Sequence, residues 1–169
     1  TLLSQRLGKK KTFLVSQLVS LMGYVMFWWC FDPQNPWLMF LPLPLFAFGI
    51  GSLFTMMMSM TADVCDLHEL ENGTRREGIF GAIYWWMVKF GFAIAGLLSG
   101  LILTLAGFDQ DVSVQTPETL QTLKLAYILV PMAGTLIAIA VMSRYDLSEE
   151  RAHDIRLQLE SRRGTTQAD

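Results

Sequence analysis

Charge is scarce in this chain. Only 17% of its 169 residues are Asp, Glu, Lys or Arg, where a soluble globular domain carries about a quarter. The 13 basic and 15 acidic residues leave a formal net charge of −2, so there is no basic surplus of the kind that binds phosphate backbones, and no nucleic-acid partner is expected. Cysteine is nearly missing as well. Cys30 and Cys65 stand alone, too few for the disulfide framework of a small secreted domain. No nucleophile–base pair and no phosphate-cradling glycine loop is present, so neither an enzyme nor a bound cofactor is expected. Hydrophobic residues, by contrast, make up 52% of the chain, which excludes a disordered tail.

Those apolar residues fall into four long runs. Residues 12–31 hold no charge, and about 20 residues at 1.5 Å each match a hydrocarbon core of about 30 Å. A second uncharged run covers 37–62, after the turn-forming Asp32-Pro33-Gln34-Asn35-Pro36, with Pro42 and Pro44 loosening its outer turns. The third, 79–108, is interrupted only by Lys89, and the fourth, 125–143, contains Pro131, which predicts a kink. The expected fold is an all-α membrane protein with four transmembrane helices. A signal peptide does not explain the first run, because a basic start and apolar core recur without a small-residue cleavage site. The chain opens on Thr1 in a polar, basic segment, and it reads as part of a longer protein.

Lys and Arg are retained on the cytoplasmic side of membranes. Arg6, Lys9, Lys10 and Lys11 precede the first span, Arg75 and Arg76 join the second to the third, and Arg144, Arg151, Arg156, Arg162 and Arg163 follow the fourth. The other two connections hold Asp32, Asp109, Asp111 and Glu118, with only Lys124 at a span edge. Residues 1–11 are therefore expected as a cytoplasmic loop, 12–144 as the transmembrane region and 145–169 as a cytoplasmic tail of a multi-pass plasma-membrane protein. Cys30 and Cys65 would then lie at opposite faces as free thiols.

The second helix should run past the membrane and stop at Asn72-Gly73. Thr74 with Glu77 has the form of a capping box, Thr116-Pro117 that of a cap and first helical residue, and Asp146 with Glu149 a second box ahead of a short polar helix. Ile155 and Leu159 give that helix a narrow apolar stripe, suited to docking on the end of the bundle or to a separate partner.

Lys89 lies about 11 residues, or roughly 16 Å, past Gly78, near the membrane midplane. An ammonium there is costly unless it faces a bundle interior, water or a carboxylate, and no acid stands at its depth in these spans. A further part of the same polypeptide, an anionic ligand or a partner subunit would supply the counter-charge. Ala82, Trp85, Trp86, Phe92 or Ala93, and Gly96 share its side of the helix. An amine beside indole rings suits a sugar, whose hydroxyls accept and donate hydrogen bonds and whose C–H face stacks; alternatively Trp85 and Trp86 simply meet lipid or pack. Gly96 and Gly100 form a close-packing spacing.

At the end of the second helix, Asp63, Asp66 and Glu69 recur every three residues and share a drifting face. Cys65 and His68 project elsewhere, so a metal site is not expected. Arg75 and Arg76 follow the turn and suggest an ion-pair network, with a solvated charged loop as the other reading. Such a network can set the balance between two conformations.

The run Ala62-Asp63-Val64-Cys65-Asp66-Leu67-His68-Glu69, then Gly73-Thr74-Arg75-Arg76-Glu77-Gly78, then a span bearing Lys89, resembles the tenth and eleventh helices of the glycoside-pentoside-hexuronide cation symporters, the melibiose permease group of the major facilitator superfamily. Arg6-Leu7-Gly8-Lys9-Lys10-Lys11 is similar to the end of the superfamily loop before helix nine, with Gln5 in place of an acid. The resemblance implies helices nine to twelve of a twelve-helix symporter, alternating access, a sugar or glycoside substrate and a coupling cation, Na+ or H+. It implies that Lys89 lies between the sugar and cation sites, that Phe54 stands where the family has a tryptophan near its sugar, and that Asp63, Asp66, Glu69 and Arg75 join a cytoplasmic gate. The acids of the cation site would come from an N-terminal half of the same transporter. Relatives that carry lysolipids, and a membrane scaffold that moves no solute, are the alternatives.

Overall fold

The computed structural model describes residues 7–32 and 34–166; Gln5, Arg6 and Pro33 lie outside the described residues. In hydrocarbon no water can bond a backbone amide or carbonyl, so a spanning segment must close its hydrogen bonds within itself. Each apolar run does so as a helix. Helix α1 covers Lys9–Cys30, a short 3-10 helix covers Pro36–Phe40, and α2 covers Leu43–Asn72. Then come α3 at Glu77–Leu105, α4 at Pro117–Ser143 and the polar α5 at Glu149–Thr166. All four expected spans are present and long and apolar enough to cross a membrane, and no described residue forms a strand. The second run is split as Pro42 and Pro44 predict, with the 3-10 segment ending before α2 begins.

The helix ends follow local chemistry, with two corrections. Gly73, at φ 69°, closes α2 by donating its amide to the Glu69 carbonyl at 2.8 Å, the left-handed stop expected there. Thr116 caps α4 by accepting from the Thr119 amide at 3.2 Å, with Pro117 as first helical residue. The box expected from Thr74 and Glu77 does not form, because Arg75 captures the Glu77 carboxylate and α3 starts behind Arg76 without a side-chain cap. The cap expected of Asp146 belongs instead to Ser148, whose hydroxyl accepts from the Arg151 amide at 3.2 Å. Helix α3 ends at Leu105, three residues inside the expected boundary, because Gly107 at φ 68° turns the chain. The amides of Gly107 and Phe108 then donate to the carbonyls of Thr104 and Leu103, a paired closure that needs the left-handed glycine.

Helix α1 is the centre of the bundle. Phe13 packs with Met56 and Met60 of α2 and Met142 of α4, and Tyr24 and Phe27 pack with Ile128 of α4. Between α1 and α2 the contact is unusually close and polar. Ser16, Gln17, Ser20 and Gly23 are all buried on α1, and Gln17 donates to the Gly49 carbonyl at 3.0 Å. A Cβ built on Gly49 would lie 2.4 Å from the Ser20 Cβ, so only glycine permits this approach. Small residues of this kind let helix backbones meet in lipid, where burying apolar surface drives nothing. Helix α3, by contrast, buries no residue and leans along the bundle's edge. Helix α5 lies against α2 through Ala152, Ile155 and Leu159, all buried, which settles the destination of its apolar stripe.

Gly49→Ala should therefore destabilise the protein by about 1–3 kcal/mol through overpacking, seen as a lower midpoint in thermal unfolding in detergent. Gly51→Ala, with nothing within 4 Å of the added carbon, should be neutral; equal effects would contradict the crossing.

Candidate functional site

The carboxylates at the end of α2 gather cations from three parts of the chain. Asp63 receives the Lys9 ammonium at 2.5 Å and the Arg156 guanidinium of α5. Asp66 meets Arg75 at 3.0 Å and Arg156 at 3.6 Å. Glu69 lies 2.8 Å from Arg75 and 2.8 Å from Arg163, and Arg75 also bonds Glu77 across the turn. The three-residue spacing of the acids puts them on one side of α2, where the loop, the start of α1 and α5 all converge. Bonding to Glu77 and then Glu69 pushes the Arg75 guanidinium above its ordinary range, and the hydrogen bond to Asp63 does the same for Arg156.

Asp63 is the buried anchor, its side chain 4% exposed, while Arg156 and Arg163 remain about half exposed. Beside it opens a cleft of about 660 Å³ lined by Lys9, Lys10, Lys11, Asp63, Tyr145 and Glu149, among others. Burial first, then the charges of Asp63 and Glu149, push the Tyr145 phenol up to about 12, so it stays a neutral hydroxyl. Lys10 donates to the Ser143 and Tyr145 carbonyls at 2.9 and 2.6 Å, where a cation answers the negative end of α4.

Several of these partners were not singled out by sequence reasoning. Lys9, Arg156 and Arg163 complete the network, whereas Arg76 is exposed and makes no ion pair among the described residues. The spacing of Arg156 and Arg163, seven residues apart and flanking Ile155 and Leu159, was the available signal, since two helical turns place them on one side. Cys65 is buried and unpaired. His68 packs edge-on against Phe80 at 5.5 Å and meets Asn72 at 3.0 Å. Neither reaches the three acids.

The second group of candidate residues lies on α3. Phe80, Ile83, Tyr84 and Met87 face a groove of about 390 Å³ shared with α2 and α4, and Gly91, Ile94, Ala95 and Leu98 continue that face into a larger one. Lys89 is two residues past Met87, about 200° around the helix, so it points away from α1, α2 and α4. It is exposed and pairs with no described side chain. Trp85 is on its side, 49% exposed, and Trp86 stacks on Phe90 at 5.3 Å. Phe54 is half-buried on α2; the four helices do not bring it together with Lys89 in one cavity. Gly78, Gly96 and Gly100 flank Lys89 with nothing within 4 Å of any of them.

Comparison with known proteins adds a family match and three relatives. Residues 1–149 match the family described as MFS/sugar transport protein. The chain is 30% identical over 162 residues to the glucuronide carrier protein homolog of Escherichia coli (strain K12), covering 96% of this chain and 35% of that protein. It is 31% identical over 115 residues to the putative glycoside/cation symporter YagG of the same organism, covering 68% of this chain and 25% of that protein. It is also 31% identical over 105 residues to the sodium-dependent lysophosphatidylcholine symporter 1-A of Danio rerio, covering 61% of this chain and 20% of that protein. The chain thus spans about a third or less of the length of these relatives.

The ion pairs should differ in weight with burial. Asp63→Ala strands the largely buried Lys9 ammonium and should cost about 3–5 kcal/mol, whereas Glu69→Ala, whose partners face solvent, should cost about 0–1 kcal/mol. Thermal unfolding of both variants in detergent checks the order, and equal losses would contradict Asp63 as the anchor.

Proposed function

The chain belongs to the MFS/sugar transport protein family, within it the glycoside-pentoside-hexuronide cation symporters, and from that premise we propose that its four spans form part of a cation-coupled sugar symporter working by alternating access. The observation that carries the proposal is Lys89. An ammonium roughly halfway along α3, on a face turned away from the other described helices, is tolerable in a membrane only beside water or a counter-charge. A hydrated chamber shared with helices beyond these four supplies both. They would be the remaining helices of the same transporter, packing along the Gly78, Ala82, Ala93, Gly96 and Gly100 side of α3, where small residues admit close approach.

In this reading Lys89 donates to sugar hydroxyls and senses the nearby cation site electrostatically, so that Na+ or H+ binding and sugar binding support each other. Trp85 offers a ring for the sugar's C–H face and Trp86 shapes the chamber's wall, whereas Phe54, on α2, lies away from the side of α3 that Lys89 faces. Rocking of two halves about such a midplane site exposes it to each side in turn. The network of Asp63, Asp66, Glu69 and Arg75 stabilises one of the two end states, because its bonds hold only while α2, the loop and α5 keep their present relation. The surplus of Lys and Arg around this end, at the start of α1 and in the tail supports a cytoplasmic location for it, in a plasma membrane.

A second cargo is favoured by one observation, the likeness to a lysophosphatidylcholine symporter. The intact protein should exchange labelled glycosides in counterflow, and exchange of lysolipids alone would replace the sugar reading. Lys89→Leu should insert and fold yet lose cation-coupled uptake; retained uptake would remove Lys89 from the coupling site, and a gain in stability with no transport in the parent protein would favour a scaffold.

A further inference from the structure

Helix α5 ties the start of α1 to the tip of α2. At its beginning Glu149 accepts the Lys9 amide at 3.1 Å, and near its finish Arg162 donates to the Leu70 carbonyl at 3.2 Å. Its apolar hold is slender. Ile155 and Leu159 are the large side chains it buries, with Ala152 beside them, while Leu157 stands off the stripe, 50% exposed. Helices in proteins draw most of their stability from packing rather than from propensity, and two large side chains are little packing for the 18 residues of Glu149–Thr166. Charge makes up the difference.

The ion pairs follow a pattern. Each of the three acids on α2 takes one cation from α5 and one from elsewhere: Asp63 takes Arg156 and Lys9, Asp66 takes Arg156 and Arg75, and Glu69 takes Arg163 and Arg75. With Glu77, which also meets Arg75, four carboxylates face four cations among the described residues, and the network is neutral. Without α5 it loses Arg156 and Arg163 and carries a surplus of two negative charges, although every acid keeps a partner. Burial separates the two sets of bonds. Lys9 and Asp63 are 14% and 4% exposed, whereas Arg156 and Arg163 are 45% and 54% exposed, so dissolved ions screen the pairs of α5 first.

We propose that α5 is a strap set by ionic strength. At low salt its two arginines hold it on α2 and complete the network; at high salt it detaches, leaving the Asp63–Lys9 bond in place and the end of α2 acidic. In the symporter reading the strap is the adjustable part of the gate, because it adds bonds to one end state that fade as the surrounding salt rises. That consequence rests on the transport proposal. The strap itself needs only the pairs among α1, α2, the α2–α3 turn and α5, so its failure would leave the Lys89 chamber untouched, and failure of transport would leave the strap standing.

The test is amide hydrogen exchange, read by mass spectrometry on the intact protein in a non-ionic detergent at fixed pH, because a detached α5 unwinds and opens its amides. Raising sodium chloride from about 50 mM to about 1 M shortens the screening length to about 3 Å. Exchange across residues 149–166 should then quicken about tenfold, as expected for loss of two half-exposed ion pairs, while the spans of α1 and α2 stay protected. Arg156→Gln combined with Arg163→Gln leaves Asp63 its Lys9 partner, and its α5 should exchange fast at the lower salt and gain little from the higher. Arg151→Gln, on the same helix and outside the network, should behave as the parent does. Salt-independent protection of α5, parental protection in the double variant, or an equal loss of protection in Arg151→Gln would overturn the proposal.

Discussion

Hydrocarbon offers no partner to a polar atom, and every part of this structure answers to that constraint. The backbone closes on itself as four helices. The side chains follow the same logic: Gln17 finds the Gly49 carbonyl across the α1–α2 crossing, and Ser16 bonds the Phe13 carbonyl one turn back at 2.8 Å. Charges are confined to the ends of the helices, where carboxylates and cations meet. Lys89 is the exception, since an ammonium with no counter-charge in these spans is tolerated in a membrane only where something outside them solvates it.

The two ends of the bundle are built differently. One is held by ionic bonds among α1, α2, the α2–α3 turn and α5, arranged around Asp63. The other has few cations and leans on aromatic contacts: Tyr127 meets Phe27 and Phe31 at 5.5 and 5.7 Å, and Lys124 rests on Trp28. Ion pairs are exchangeable for water when a crevice opens, whereas aromatic packing in lipid has no such substitute. A rocking transporter of this construction would open the charged end by trading salt bridges for hydration.

Much of this was legible in the residues. Three uncharged runs of membrane length and a fourth broken only by Lys89 predicted the helices, because length and hydropathy decide what crosses a bilayer. Gly73 and Thr116-Pro117 marked boundaries correctly, since their chemistry is local. Glu77 misled because a long-range competitor, Arg75, took its carboxylate, and Asp146 misled because Ser148 stood one residue before the helix. Lys9 and Arg156 escaped notice for a related reason. Their partner Asp63 is far away in sequence, and a pairing between distant charges depends on which helices become neighbours. Lys89 was recognisable from depth, but the direction it faces became visible only with α1, α2 and α4 in place.

Asp63 accepts from a lysine near the start of the chain and an arginine near its end, and these partners emerge from the ribosome at different times. Lys9 and Asp63 can join once α1 and α2 have been made. Arg156 arrives only after α3 and α4 have been inserted and α5 has folded back. The second bond thus forms only once α5 is in place, and until then Asp63 is joined to Lys9 and not yet to Arg156.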